Sequence, residues 1–148
     1  MEIDAAAPAV ARAEIDVAAV PEVAWSVLAD IDGWPRWNAS IASARLEGEL
    51  APGSTFRWKA GPGTITSTLR EVDPPRELGW TGKTFGIKAV HVYRLEQRGD
   101  STHVTSEESW DGLLVRLLRG RMQKTLQKAL DEGLPLLRAE AERRAGGP

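Results

Sequence analysis

Apolar and polar residues alternate one by one near the start of the chain: Ala13, Ile15 and Val17 are interleaved with Arg12, Glu14 and Asp16. Period-two alternation is the pattern of a strand with one buried face. Pro21 and Glu22 then open a segment in which Val23, Val27 and Leu28 recur at helical spacing, with Trp25 alongside, and Asp32, Gly33 and Pro35 end it. A short helix and a Trp-bearing turn over 33–38 are predicted there. From residue 41 to about 111, apolar-polar runs stop at turn residues: 44–50 before Pro52-Gly53, 55–60 before Gly61-Pro62-Gly63, and 64–72 before Asp73-Pro74-Pro75. Strands over 77–83, 87–97 and 102–111 follow, the last two joined by a tight turn at Arg98-Gly99-Asp100. Connections this short require consecutive strands to pair antiparallel.

After Gly112 the period changes. Val115, Leu118, Met122, Leu126, Ala129, Leu130, Leu137 and Ala141 recur at the three- and four-residue spacing of one helix face, and Leu114, Leu117 and Leu134 widen the stripe. This predicts one amphipathic helix over 113–143, about 45 Å long at ~1.5 Å per residue and able to cross a whole sheet. Gly133 and Pro135 predict a kink or break near Leu134. The sum is an α+β fold: a curved antiparallel seven-stranded sheet wrapped around a long C-terminal helix, with short helices after the first strand. Glycines at 53, 61, 63, 79, 82 and 86 permit the curvature. Space left between sheet and helix is the natural ligand site.

At 148 residues the chain is read as one domain over 1–148, with an ordered core over about 11–144 and with residues 5–11 and 145–148 fraying. Alternation assigns the inward residues: Phe56 and Trp58; Ile65, Ser67 and Leu69; Leu78 and Trp80; Ala89, His91, Tyr93 and Leu95; Val104, Ser106, Glu108 and Trp110. Leu69 and Val72 break strict alternation, which predicts a β-bulge near Arg70-Glu71. Folding the last hairpin about Gly99 sets Leu95 opposite Val104, Tyr93 opposite Ser106, and His91 opposite Glu108.

That His-Glu pair is the sharpest chemical object in the chain. A carboxylate beside an imidazole fixes its tautomer and raises its pKa, which suits general acid-base work. The alternative is that two buried polar groups satisfy one another and orient a cavity wall without chemistry. His103 is expected to point outward and receives no role.

Composition narrows the chemistry. Six of the aromatic residues are Trp, against two Phe and one Tyr. Trp25 is expected in the core, Trp34 and Trp37 at a cavity rim, and Trp58, Trp80 and Trp110 on inward strand faces. With 19 Lys plus Arg against 21 Asp plus Glu the net charge is −2, so no nucleic-acid partner is expected. The chain has no Cys, which excludes disulfides, thiolate metal sites and Cys nucleophiles. The two His are placed on opposite faces and no phosphate-binding loop is present, so neither metal nor cofactor is expected. No signal-like start and no long uncharged apolar run occur, so a cytoplasmic protein without an integral membrane segment is expected. Arg116, Arg119, Arg121, Lys124 and Lys128 form a run without an intervening acid; it is either a solvated face or a surface attracting an acidic ligand or an anionic membrane.

The segments VPEVAWSVLADIDGWPRWN at 20–38, VDPPRELGW at 72–80 and EESWDGLL before the long helix resemble the START-like helix-grip superfamily (SRPBCC), in its polyketide cyclase/dehydrase and lipid-transport branch. The resemblance spans about 14–142. It implies a deep apolar cavity under the helix, and it specifies fold better than activity. The expected lining is Trp34, Trp37, Phe56, Trp58, Ile65, Ser67, Leu69, Trp80, His91, Tyr93, Ser106, Glu108, Trp110, Leu118, Met122 and Leu126. The first reading is a protein that binds an apolar small molecule such as a lipid or polyketide. The alternatives are a polyketide cyclase/dehydratase using His91 with Glu108, and a protein-interaction module without an enclosed pocket. A homodimer is compatible with each.

Overall fold

The computed structural model describes residues 1–146. The strands are β1 Ala9–Val17, β2 Ile41–Glu47, β3 Thr55–Ala60, β4 Thr64–Asp73, β5 Glu77–Thr84, β6 Ile87–Arg98 and β7 Ser101–Asp111. The helices are α1 Pro21–Ala29, α2 Trp34–Trp37, α3 Leu113–Leu117 and α4 Arg119–Ala145, with a 3-10 turn over Ile31–Gly33. The strands form one antiparallel sheet in the order β1-β7-β6-β5-β4-β3-β2. The α+β architecture is thus the one that element order and alternation imply, the helix-grip fold is the one the resemblance implies, and the register of β6 on β7 pairs His91 with Glu108 and Tyr93 with Ser106. The bulge falls between Leu69 and Glu71.

Two expectations about the helix are corrected. Pro135 lies inside α4, which continues through it. Its side chain is exposed while Leu130, Leu134, Leu137 and Ala141 are buried, so the missing hydrogen bond falls on the wet side and packing holds the rod together. The break comes instead at Leu118, whose φ of −116° and ψ of 38° end α3. There α3 docks on the tip of the β5–β6 hairpin while α4 turns to follow the sheet. A Cβ at Gly112 would fall 2.2 Å from the Gly86 carbonyl oxygen, and no side chain fits between.

The amino end is corrected too. Ala9 and Ala11 are buried in β1, and the Met1 ammonium donates to Glu77 Oε2 at 2.9 Å. β2 begins at Ile41, three residues ahead of the expected run and ends at Glu47. Of the tail expected to fray, 147–148 lies outside the described residues.

β1 is an edge strand, and its open backbone is taken up by α4. Gln123 accepts from Val10 N at 2.8 Å and donates to Val10 O at 2.6 Å, and Gln127 Nε2 donates to Arg12 O at 3.0 Å. One turn apart on the helix, the two amides match two residues of strand repeat. The buried apolar residues form two clusters. Trp34, Phe56, Leu69, Leu78, Trp80, Leu134 and Leu137 belong to the larger part; Ala9, Ala11, Val115, Leu126 and Leu130 form the smaller.

Candidate functional site: an aromatic cavity with a buried His-Glu pair

Between the concave sheet and α4 lies a cavity of about 550 Å³, within the size range of small-molecule sites. Its wall includes Trp34, Trp37, Trp58, Ile65, Ser67, Trp80, His91, Tyr93, Glu108, Trp110 and Met122. Five of the expected lining residues are not part of it. Phe56 and Leu69 are fully buried behind the wall, and Leu126 fills the smaller core cluster. Ser106 is buried behind His91, and Leu118 stands 40% exposed at the helix corner. Alternation assigns a face correctly in these strands; it carries no information on whether a neighbour or a space lies opposite.

The wall is built from edge-on aromatics. The ring of Trp34 lies 5.6 Å from Phe56, 5.5 Å from Trp58 and 5.5 Å from Trp80, the first two contacts nearly perpendicular, as the ring quadrupoles prefer. Trp34 is itself buried, with its Nε1 donating to Leu28 O at 3.1 Å, so it is a packing hub with one edge on the cavity and not a rim residue. Trp37 is half-buried on the wall, and its Nε1 has no partner. Trp25 packs against the larger core. Trp58 Nε1 donates to Ser67 Oγ at 3.1 Å, and Gly82 leaves room for that hydroxyl, since a Cβ there would sit 2.7 Å from it.

His91 is flanked by Trp80, with ring centres 4.8 Å apart, and by Tyr93, stacked at 4.6 Å. Its Nε2 shares a 2.7 Å hydrogen bond with Ser106 Oγ. Nδ1 lies 3.1 Å from Glu108 Oε1, yet the oxygen stands off the direction that a ring hydrogen bond needs, and the buried Nδ1 makes none. The other carboxyl oxygen of Glu108 accepts from Trp110 Nε1 at 2.8 Å. The two groups therefore do not satisfy one another; each is held by a different neighbour.

Their electrostatics also differ from the expectation of a raised imidazole pKa. Burial pushes His91 down to about 3 and Glu108 up to about 7, the latter opposed by the Trp110 hydrogen bond. Desolvation penalises both charged forms, and with no cation beside it the carboxyl holds its proton far above the usual range. Burial raises the Tyr93 phenol as well, and the charge of Glu108 adds to this. Near neutral pH the deep end thus offers an uncharged imidazole and a carboxylic acid half in its protonated form.

His103 is on the outer face, with Nδ1 2.7 Å from Asp16 Oδ1. Among the described residues no cluster of three or more metal-ligating side chains occurs, and no helix is long and apolar enough to cross a membrane.

Sequence reasoning missed the mouth of the cavity. Gly61-Pro62-Gly63, Thr84 and Phe85 line one lip, and Lys128, Glu132, Gly133 and Leu136 of α4 line the other. The Phe85 ring covers Gly63, where a Cβ would come within 3.0 Å of it. A lone Phe beside Gly86 in the short turn after Thr84 was the available signal.

The profile of a family described as polyketide cyclase / dehydrase and lipid transport matches residues 8–142. The chain belongs to this family. No curated protein matches it in sequence. Its fold is shared with a Helicobacter pylori hypothetical protein at 15% identity and a TM-score of 0.82, covering 94% of this chain and 91% of that one. A START superfamily protein from Mycobacterium smegmatis matches at 18% identity and 0.68, covering 92% and 96%. The di-domain ARO/CYC BexL from the BE-7585A biosynthetic pathway matches at 13% and 0.74, with 94% of this chain on 50% of that one. At these identities the likeness is one of fold. Within the family, hydrophobic ligand binding and cyclase chemistry are the two activities the site must be weighed against.

Proposed function

We propose that the protein binds an uncharged, largely apolar small molecule bearing a carbonyl or hydroxyl group, held with that group at the Glu108 end of the cavity. The observation that carries this is the unpartnered Nδ1 of His91 beside a protonatable Glu108, on an otherwise aromatic wall. Buried polar atoms without partners are costly unless something supplies the missing bond. A ligand carbonyl accepts from the acid form of Glu108, and a hydroxyl bonds to His91. A ligand carboxylate would meet no cation there. A cavity of about 550 Å³ reaching Met122 also weighs against the interaction-module reading.

The second reading is a cyclase or dehydratase step, favoured by one observation: a carboxyl with its pKa near 7 next to a neutral imidazole. Glu108, half ionised near neutral pH, would donate a proton to a ligand oxygen and, as the carboxylate, take one back from carbon or oxygen, with the neutral His91 orienting the ligand and the cavity holding the reacting atoms close.

Native mass spectrometry of protein purified from its host is expected to retain a neutral apolar molecule, released on denaturation. The two readings part on His91→Ala and Glu108→Gln: turnover of the retained class of compound that survives both variants ends the enzyme reading. An empty protein that also fails to take up neutral polycyclic ketones and phenols ends both.

A further inference from the structure

The break between α3 and α4 makes a corner on which six successive residues, Arg116-Leu117-Leu118-Arg119-Gly120-Arg121, are all exposed. Leu117 is 72% exposed, Leu113 one turn earlier is 72% exposed, and Phe85 on the adjoining hairpin tip is 79% exposed. With Leu118 these are four of the six large apolar side chains left exposed among the described residues. Clustering of that kind marks a contact surface. The cations share the same corner. Lys83, Lys88, Arg121 and Lys124 have no ion-pair partner among the described residues, and the one neighbouring acid, Asp111, is engaged by Arg116 at 3.0 Å. Phe85 belongs at once to this corner and to the lip of the cavity.

We propose that this corner docks the protein on an anionic lipid surface, with Phe85, Leu113 and Leu117 entering the interface and the surrounding lysines and arginines on the headgroups. Three occupants compete for such a patch, and the geometry separates them. A second copy related by a two-fold axis would place like charges against like. An acidic protein needs a surface its side chains can interlock with, whereas Phe85, Leu113 and Leu117 stand mostly free of the surface. A fluid bilayer accepts protruding apolar groups without shape complementarity and rewards cations beside them. The docked pose sets the cavity lip against the lipid, and it holds whatever the cavity contains.

Flotation with vesicles of equal parts phosphatidylglycerol and phosphatidylcholine, against phosphatidylcholine alone, tests this. The protein is expected to float only with the anionic vesicles, and less as salt is raised. Arg121→Ala with Lys124→Ala should weaken partitioning by roughly five-fold per cation, about twenty-five-fold together. Leu113→Ser with Leu117→Ser should weaken it at least roughly ten-fold. Because the chain has no Cys, Leu117→Cys carries a unique environment-sensitive dye, whose emission should shift to the blue on the anionic vesicles. All these positions are exposed, and circular dichroism confirms folding of each variant. Equal floating with both vesicle types, no floating with either, or floating that survives both double variants overturns the proposal. So does competition by soluble polyglutamate without a dye shift, which would assign the corner to an acidic protein.

Discussion

Glu108 faces His91 across the β6–β7 hairpin with 3.1 Å between Oε1 and Nδ1 and no hydrogen bond joining them. Each is neutralised by burial and not by the other, and this gives each a separate signature in stability. Glu108 is raised from 4.5 to about 7, so the folded state holds a proton that the unfolded chain has released. Its contribution is complete below pH 4.5 and is lost as pH rises towards 7. His91 is lowered from 6.5 to about 3, so its contribution is complete above pH 6.5 and is lost as pH falls towards 3. Between 4.5 and 6.5 the two slopes oppose. Glu108→Gln removes one of them, and its stability relative to the parent should climb by about 3 kcal/mol from pH 4.5 to 7. Urea unfolding across this range is the measurement, and parallel curves would sink the assignment.

Ligand affinity should follow the same carboxyl. A neutral polycyclic ketone is expected to quench or shift emission from Trp58, Trp80 and Trp110 on the wall. Its affinity should fall as pH rises through about 7, when the donor becomes an anion. Glu108→Gln, whose amide donates at every pH, should flatten that dependence. Fluorescence titration at several pH values decides it: emission indifferent to a panel of such compounds would mean that nothing flat and apolar enters.

Phe56 and Ile65 occupy neighbouring strands and the same concave face, yet truncation should treat them differently. Phe56 is fully buried behind the wall, so Phe56→Ala should cost about 3–5 kcal/mol. Ile65 borders open space, lacks packing atoms on that side, and Ile65→Ala should cost no more than about 2 kcal/mol. Equal losses would show that the cavity collapses around its lining.

Gly133 lies on α4 with nothing within 4 Å of where a Cβ would be, and it borders the cavity. Gly133→Ala should therefore stabilise the protein by about 1 kcal/mol through helix propensity alone. Gly133→Trp should keep the fold but occupy the space and reduce ligand uptake. Thermal melts and the fluorescence titration give the two readouts.

The register that brings His91 to Glu108 was legible because Gly99 fixes a tight hairpin and a one-residue slip would turn both side chains outward. The state of the pair was not, because its pKa values depend on depth of burial, which alternation does not report. The same gap misplaced Phe56, Leu69 and Leu126, inward residues with neighbours rather than space in front of them. The helix break was misread for another reason. Pro135 is the stronger local signal, but its cost depends on which side of the helix faces water, whereas no Gly or Pro stands at Leu118, where the corner falls. The anchoring of Met1 through Glu77 joins positions 76 apart in sequence, beyond the reach of local patterning.

The stitching of α4 to β1 through Gln123 and Gln127 makes the two long sides of the cavity mechanically unequal. Lifting the helix from β1 would break three side-chain-to-backbone hydrogen bonds at Val10 and Arg12, each worth about 0.5–1.5 kcal/mol net. On the far side, α4 faces the Gly61-Pro62-Gly63 turn and Phe85 across side chains, with no backbone hydrogen bond between them among the described residues. The helix is therefore a cover hinged along one edge. Traffic of a bulky guest belongs to the other edge, where only rotamers have to move.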